Sequence, residues 1–458
     1  MLLLTADHVL VDRRFLAGGA VLIGDDGRIV AAGRADELAA LPSAAASTRL
    51  DLDGHALLPG CINAHTHSFQ VLLRGNGDNA RNFREWVDGH LYPLVMRLDE
   101  RALVAAALLA YAEMALAGTT TVGEFFYVHH GRDGSGGGNT HATAVIEAAR
   151  RLGIRIALLR TMYDLGSKPG QARFRETADA AAANTRELHA LYAADPTVVV
   201  RPAPHSLHGA SEAMIRAASE IAAEFRAPFH IHLAEQQGDL SFSTSTYGVS
   251  PLRAIERMGA LSERTVLVHG IWLDDGERAL LADAGGALVY NPLTNMALGD
   301  GVARIPDLVA RGVPVALGTD ANNRLNLFDE MRTVEYLQRV SALEMGIVAG
   351  ADPDSRGTAL PLLEMGTANG ARALGIEAGR IAPGLWADLV AISLDDPSLW
   401  PAACSGGDDL LNAVVFSMVA QTAVRHSWVA GRPLVRDGRL ANMSLDKIRD
   451  EIVAVVQS

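Results

Sequence analysis

Short apolar runs alternate with longer amphipathic runs through the middle of the chain. The short runs fall at residues 61–67, 120–122, 154–159, 198–201, 229–233, 266–268, 287–290 and 313–317. Between them lie runs with helical spacing, including 101–116, 144–152, 176–192, 212–225 and 251–258. Eight short strands alternating with helices over about 250 residues predict an α/β barrel. The alternative is an open doubly wound sheet, but no Gly-x-Gly-x-x-Gly follows the first strand, which weakens a dinucleotide-binding reading. A glycine-rich stretch at 131–140, after the second strand, is either a lid or a passive loop.

Both chain ends carry a different pattern. Apolar runs at 20–23 and 28–32 flank Gly24-Asp25-Asp26-Gly27, and Asp-Gly between apolar runs predicts a hairpin. Strand-like runs return at 387–392, 427–429 and 434–435, with turns at 379–384 and 430–432. We therefore expect a small β-sandwich domain built from residues 1–57 and 378–440. It would flank a barrel of residues 58–377, and 441–458 would form a closing helix with Ser444 as its N-cap.

Composition narrows the class. The chain has 458 residues, 49% hydrophobic and 20% charged, enough for one large domain with a substantial core and a smaller one. A net charge of −13 argues against nucleic acid or an anionic membrane surface as partner. Cys61 and Cys404 are the two cysteines, so no disulfide framework is indicated. The apolar start at residues 1–4 is too short for a secretory signal, and no run approaches a membrane span. These features lead us to expect a cytoplasmic protein acting on a small molecule.

Sites of such barrels collect at the C-terminal ends of the strands. Polar residues stand at most of those positions: His65 and His67, Glu124 with His129 and His130, His205 and His208, His232 and Glu235, His269, and Asp320. Side chains two apart on a strand face one way, so His65 and His67 present two imidazoles to one point. Imidazole suits zinc and iron, and the recurrence at so many strand ends predicts a mononuclear metal site. His55 lies before the Pro59-Gly60 turn, towards the other domain, and reads as structural.

An ordered set of motifs resembles the amidohydrolase superfamily, in its hydrolytic deaminase branch. The set comprises Leu58-Pro59-Gly60 leading to His65-x-His67, His232-x-x-Glu235, His269-Gly270, Asn291-Pro292 with Asn295-Met296, Gly318-Thr319-Asp320, and Gly384 through Val390. The resemblance implies a distorted (β/α)8 barrel with a split β-sandwich, and often a homodimer. It implies His65, His67, His232 and Asp320 as ligands of one divalent metal, zinc or iron. It also implies Asp320 and Glu235 as proton carriers and His269 as the group that polarises the attacked centre. The two-metal branch needs a lysine at a strand end. Only Lys168 and Lys447 exist, and His205 follows the fourth strand instead.

The substrate signals point two ways. Ser68-Phe69-Gln70, residues 122–130, Pro204-His205-Ser206-Leu207 and 232–237 resemble formimidoylglutamate deiminase, which implies Gln70, Tyr127 and His205 as substrate contacts. That family has an arginine after its His-Ser-Leu run, where this chain has His208. Imidazole does not replace a bidentate guanidinium, so Arg84, or Arg74 or Arg81 nearby, becomes the alternative cation. Residues 83–93, 291–296 and 327–332 resemble deaminases of aminated purines, pterins or triazines. We expect an acyclic formimidoyl or amidine substrate, with an aminated heterocycle as the alternative. A non-catalytic scaffold is the remote third, disfavoured because all four ligands and both proton carriers are present.

Overall fold

The computed structural model describes residues 1–134, 137–348 and 357–457. Part of the glycine-rich loop, residues 135–136, lies outside them. The N-terminal strands are β1 (Leu2–Val11), β2 (Arg14–Ile23), β3 (Ile29–Arg34) and β4 (Thr48–Pro59). The barrel strands follow: β5 (Cys61–Thr66), β6 (Thr119–Phe126), β7 (Arg155–Met162), β8 (Val198–Pro204), β9 (Phe229–Leu233), β10 (Thr265–His269), β11 (Ala287–Tyr290) and β12 (Val315–Leu317). Then come β13 (Leu389–Ser393), β14 (Val424–Val429), β15 (Arg432–Arg436) and β16 (Arg439–Leu440).

The chain-end strands form one eight-stranded sheet in the order β16-β15-β14-β13-β4-β1-β2-β3. The β2–β3 hairpin turns where expected, with Gly27 at φ 82°. A helical insertion separates β13 from β14, its longest helix being Gly407–Phe416. No strong strand pattern marked those residues, and their buried Leu410, Leu411, Val414 and Val415 join the main core. The closing helix is Leu445–Val456, and the Ser444 side chain accepts from the Lys447 amide.

All eight barrel strands are present, in two four-stranded parallel sheets, β5-β6-β7-β8 and β12-β11-β10-β9. Every residue of β5, β6, β7, β9, β10, β11 and β12 is buried, as expected of parallel strands covered on both faces. The covering helices obey local rules. Helix Glu100–Leu116 is capped by Asp99, and its alanine-rich surface is mostly buried. Helix Glu212–Phe225 is capped by Ser211 and keeps an apolar stripe inward, as amphipathic helices do.

The two half-barrels meet at two seams, each reduced to a single parallel bridge: Thr66 with Asp320, and Ser206 with His232. Gly318 permits the first seam. A Cβ there would sit 2.6 Å from the His65 carbonyl oxygen and 2.5 Å from Asn291 Oδ1. The distortion of the barrel thus falls beside the residues expected to carry its chemistry.

Candidate active site

At the first seam the amides of Thr319 and Asp320 both donate to the His65 carbonyl, and the His67 amide donates to the Asp320 carbonyl. The backbone thereby fixes His65, His67 and Asp320 relative to one another. At the second seam the His232 amide donates to the His205 carbonyl. Asp320, His269 and Ala234 have φ of 49°, 77° and 52°. Left-handed backbone costs a residue with a Cβ about 1 kcal/mol or more, and such strain gathers where function fixes a side chain.

Four side chains converge there. His65, His67, His232 and Asp320 each offer one ligand atom, all within 4.8 Å of one another. Nε2 of His65 lies 3.1 Å from Nε2 of His232, and Asp320 Oδ1 lies 3.3 Å from His67 Nε2 and 3.5 Å from His65 Nε2. The tautomers follow from the outer ring nitrogens. His67 Nδ1–H donates to the Phe125 carbonyl at 2.8 Å, and His232 Nδ1–H to the His205 carbonyl at 2.9 Å. Their Nε2 lone pairs therefore face the centre. Burial pushes the His65 imidazole down to about 3 and His232 well below its ordinary value, so both are neutral and free to ligate. Burial alone would raise Asp320, but the surrounding imidazoles hold it well below the usual carboxylate range. Nδ1 of His65 is buried without a partner, so no hydrogen bond opposes its Nε2 lone pair also turning to the centre, where two neutral ring nitrogens 3.1 Å apart suit a cation between them. The donor set fits a divalent metal ion.

A second group adjoins the first. Glu235, His269 and Asp320 also place ligand-type atoms within 4.8 Å of one another. His269 Nε2 is 3.6 Å from Glu235 and 3.8 Å from Asp320. The Asn295 amide nitrogen donates to His269 Nδ1 at 3.0 Å and to Asp300 at 2.8 Å. His269 therefore carries its proton on Nε2, facing the site, opposite to the tautomer of the metal-facing histidines. Burial, then the charges of Asp300, Asp320 and Asp239, push Glu235 well above the usual carboxylate range. This shift favours the carboxylic acid, the form a general acid needs.

The cavity over this floor has a volume of about 280 Å³. His67, His232, Glu235, His269 and Asp320 face it, as do Gln70, Tyr127, His205 and His208. The Gln70 amide nitrogen donates to the Tyr127 hydroxyl at 3.0 Å, while its buried Oε1 has no partner. Six aromatic rings complete the wall: Phe83, Trp86, Tyr92, Tyr127, Tyr163 and Phe174. Phe83 stacks on Trp86, and edge contacts run from His67 to Tyr127 to Phe174 to Tyr163.

Arg84 is not brought to this cavity. Its side chain is 86% exposed and faces Asp88 at 3.7 Å, because on the short helix Phe83–Trp86 the first and last residues share a face and the second does not. Arg74 pairs with Glu113, and Arg81 with Glu85. Among the described residues no lysine or arginine lines the cavity. His129 and His130 also turn away, to the carbonyls of Thr161 and Arg175. His55 bonds to the Asp53 carbonyl in the chain-end sheet. Lys168 pairs with Asp88, and Lys447 lies on the closing helix. Tyr163, Gln171, Asp239 and the Asn295–Asp300 pair escaped sequence reasoning as site residues. Of these only Asn295-x4-Asp300, beside the recognised Asn291-Pro292, left a local trace.

Comparison with known proteins shows the family and the fold. A family model described as "Amidohydrolase family" matches residues 56–434. The chain is 33% identical over 453 residues to a 5-methylthioadenosine/S-adenosylhomocysteine deaminase of Syntrophobacter fumaroxidans, spanning 96% of this chain and 93% of that one. It is 35% identical over 408 residues to a 5'-deoxyadenosine deaminase of Methanothermobacter thermautotrophicus, spanning 87% and 86%. A zinc-bound adenosine deaminase from Xanthomonas campestris superposes with a TM-score of 0.84 at 26% identity, over 100% and 99% of the two chains. A zinc-bound atrazine chlorohydrolase from Arthrobacter aurescens, at 24% identity and TM-score 0.85 over the full length of both chains, shares the fold.

Proposed function

The chain belongs to the amidohydrolase family, and we propose that it is a deaminase of purine nucleoside derivatives of the adenosine type. The observation that carries this reading is the aromatic wall, free of lysine and arginine among the described residues, beside Glu235, His269 and Asp320. A flat, neutral heterocycle stacks favourably on such a wall. An acid such as N-formimidoyl-glutamate would bring a carboxylate to a cavity with no guanidinium to receive it. The adenosine-derivative deaminases among its relatives support the same choice.

His65, His67, His232 and Asp320 would hold one divalent ion, zinc by preference. When bound, the ion supplies Lewis acidity that lowers the pKa of water towards about 7. Asp320 accepts a proton from the attacking water. Glu235, protonated at rest, delivers its proton to the ring nitrogen beside the attacked carbon. His269 donates from Nε2 towards the oxygen that adds, held in that tautomer by Asn295 and Asp300. A proton from the water then reaches the exocyclic amine, which leaves as ammonia, so an amine and water become a carbonyl and ammonia. Gln70 Oε1, buried without a partner, accepts from the base, and Tyr127 and His205 border it.

We place the enzyme in the cytoplasm, consistent with its two unpaired cysteines. Among the described residues no helix is long and apolar enough to cross a membrane. The test is ammonia release by metal-loaded protein from adenosine, 5'-deoxyadenosine, 5'-methylthioadenosine, guanine, an aminotriazine and N-formimidoyl-glutamate. Release from the adenosine derivatives is the expected result. Release from N-formimidoyl-glutamate alone would overturn the reading.

A further inference from the structure

The adenosine-type reading leaves open what the substrate carries at its 5' end, and the cavity's charge pattern bears on this. His208 and Asp239 both line the cavity. His208 Nδ1 lies 3.4 Å from Asp239 Oδ1. The other oxygen of Asp239 accepts from the amides of Glu235 and Gln236, at 3.0 and 3.1 Å. Asp239 is therefore fixed as part of the turn that positions Glu235, and it holds the His208 ring towards itself. Any positive charge on His208 is already countered. The hydrogen bond from His208, with help from those amides, outweighs burial and keeps Asp239 below the usual carboxylate range.

The cations nearest in sequence to the cavity wall are engaged elsewhere. Arg81 pairs with Glu85, Arg84 and Lys168 both face Asp88, and on either side of Phe174 Arg173 donates to the His130 and Val95 carbonyls and Arg175 to the Gly166 carbonyl. The same cavity is also lined by apolar groups on the segment after β5: Phe83, Trp86, Val87 and Leu91. Such a wall accepts a methyl or thioether group, whereas a zwitterionic amino-acid end would bring its ammonium to an Asp239 already engaged by His208 and two amides, and its carboxylate to a cavity lined by no lysine or arginine among the described residues. Leaving a charge unpaired is an effective way to reject a competing ligand.

Resting on the adenosine-derivative reading, we propose that the His208–Asp239 pair makes this enzyme selective for 5' substituents that are uncharged over those that end in an amino-acid carboxylate. S-adenosylhomocysteine and 5'-methylthioadenosine, both named for a relative of this chain, would then be separated here.

The test compares kcat/KM of the metal-loaded wild-type enzyme for three substrates: 5'-methylthioadenosine, S-adenosylhomocysteine and 5'-n-butylthioadenosine. The last has a neutral tail of similar length to the homocysteine tail, and so separates charge from size. We expect the two neutral thioethers to agree within about threefold and S-adenosylhomocysteine to fall at least tenfold below them. Equal rates for S-adenosylhomocysteine and the butyl analogue overturn the proposal, whether both are fast or both are slow. No turnover of any of the three overturns the adenosine-derivative reading itself, and this one with it. In His208→Arg the ratio of S-adenosylhomocysteine to butylthioadenosine turnover should rise at least fivefold. An unchanged ratio in folded, metal-loaded variant protein removes His208 from the selection.

Discussion

At the floor of the cavity, His67 and His232 are pinned through their ring N–H groups to strand carbonyls, and Asp320 is tied by backbone bonds to His65 and His67. On the wall, Phe83, Trp86 and Tyr92 stand on short helical turns between β5 and the next long helix, and Tyr163 and Phe174 follow β7. The floor is held by backbone hydrogen bonds between barrel strands. The wall is held chiefly by ring-on-ring contact and by single polar links such as the 2.8 Å bond from the Gln171 amide to the Tyr163 hydroxyl. A site divided this way keeps one chemistry while its specificity can vary, because loops change with little effect on the strands.

That contrast makes graded predictions. His67→Ala or Asp320→Ala should abolish tight metal binding, measured by elemental analysis, and lower kcat/KM on the order of 10⁴-fold. Glu235→Gln should retain the metal and lose about 10²–10⁴-fold in kcat. Because Glu235 must be protonated to act, the wild-type rate should fall as pH rises through its raised pKa, and this limb should vanish in the variant. Near-normal turnover by Glu235→Gln would remove its proton-carrying role.

Asn295→Ala frees His269 Nδ1 without touching the metal ligands. A loss of about 10–100-fold in kcat, with full metal content, is expected for a group that orients another. A change confined to thermal stability would make Asn295 merely structural. The wall should respond differently. Trp86→Ala should raise KM about fivefold, from the loss of about 1 kcal/mol of aromatic contact, and leave kcat nearly unchanged. Arg84→Ala, one helical step away and facing solvent, should alter both by less than about twofold. Equal effects of the two substitutions would erase the distinction between floor and wall.

The floor was legible in the sequence because ligation demands particular residue types at strand ends, and the apolar runs located those ends. The His65–His67 pair, His232 and Asp320 stood out on three distant segments for that reason, and the resemblance to the family joined them as one ligand set. The wall was marked only by resemblance, at residues 83–93 and Tyr127, since aromatic residues on loops carry no periodicity. Arg84 shows the difficulty: its charge was visible, but the phase of a four-residue helix decides that Phe83 and Trp86 face inward and Arg84 does not. The motifs that resembled formimidoylglutamate deiminase lie largely at or beside strand ends, where the metal-type donors stand, and so report the reaction class more than the substrate. The helical insertion between β13 and β14 was missed because its packing partners, helix Ala359–Met365 and strand β2 among them, lie far away in sequence.

The central claim is that one divalent ion at His65, His67, His232 and Asp320 drives deamination of an adenosine derivative. Its most direct test is to strip the protein of metal, add zinc in measured steps, and follow conversion of 5'-methylthioadenosine to its inosine counterpart. The account predicts activity that rises linearly and levels off at one ion per chain, with His67→Ala inactive throughout. Full activity in the stripped protein, or a plateau reached only at two ions per chain, would contradict it.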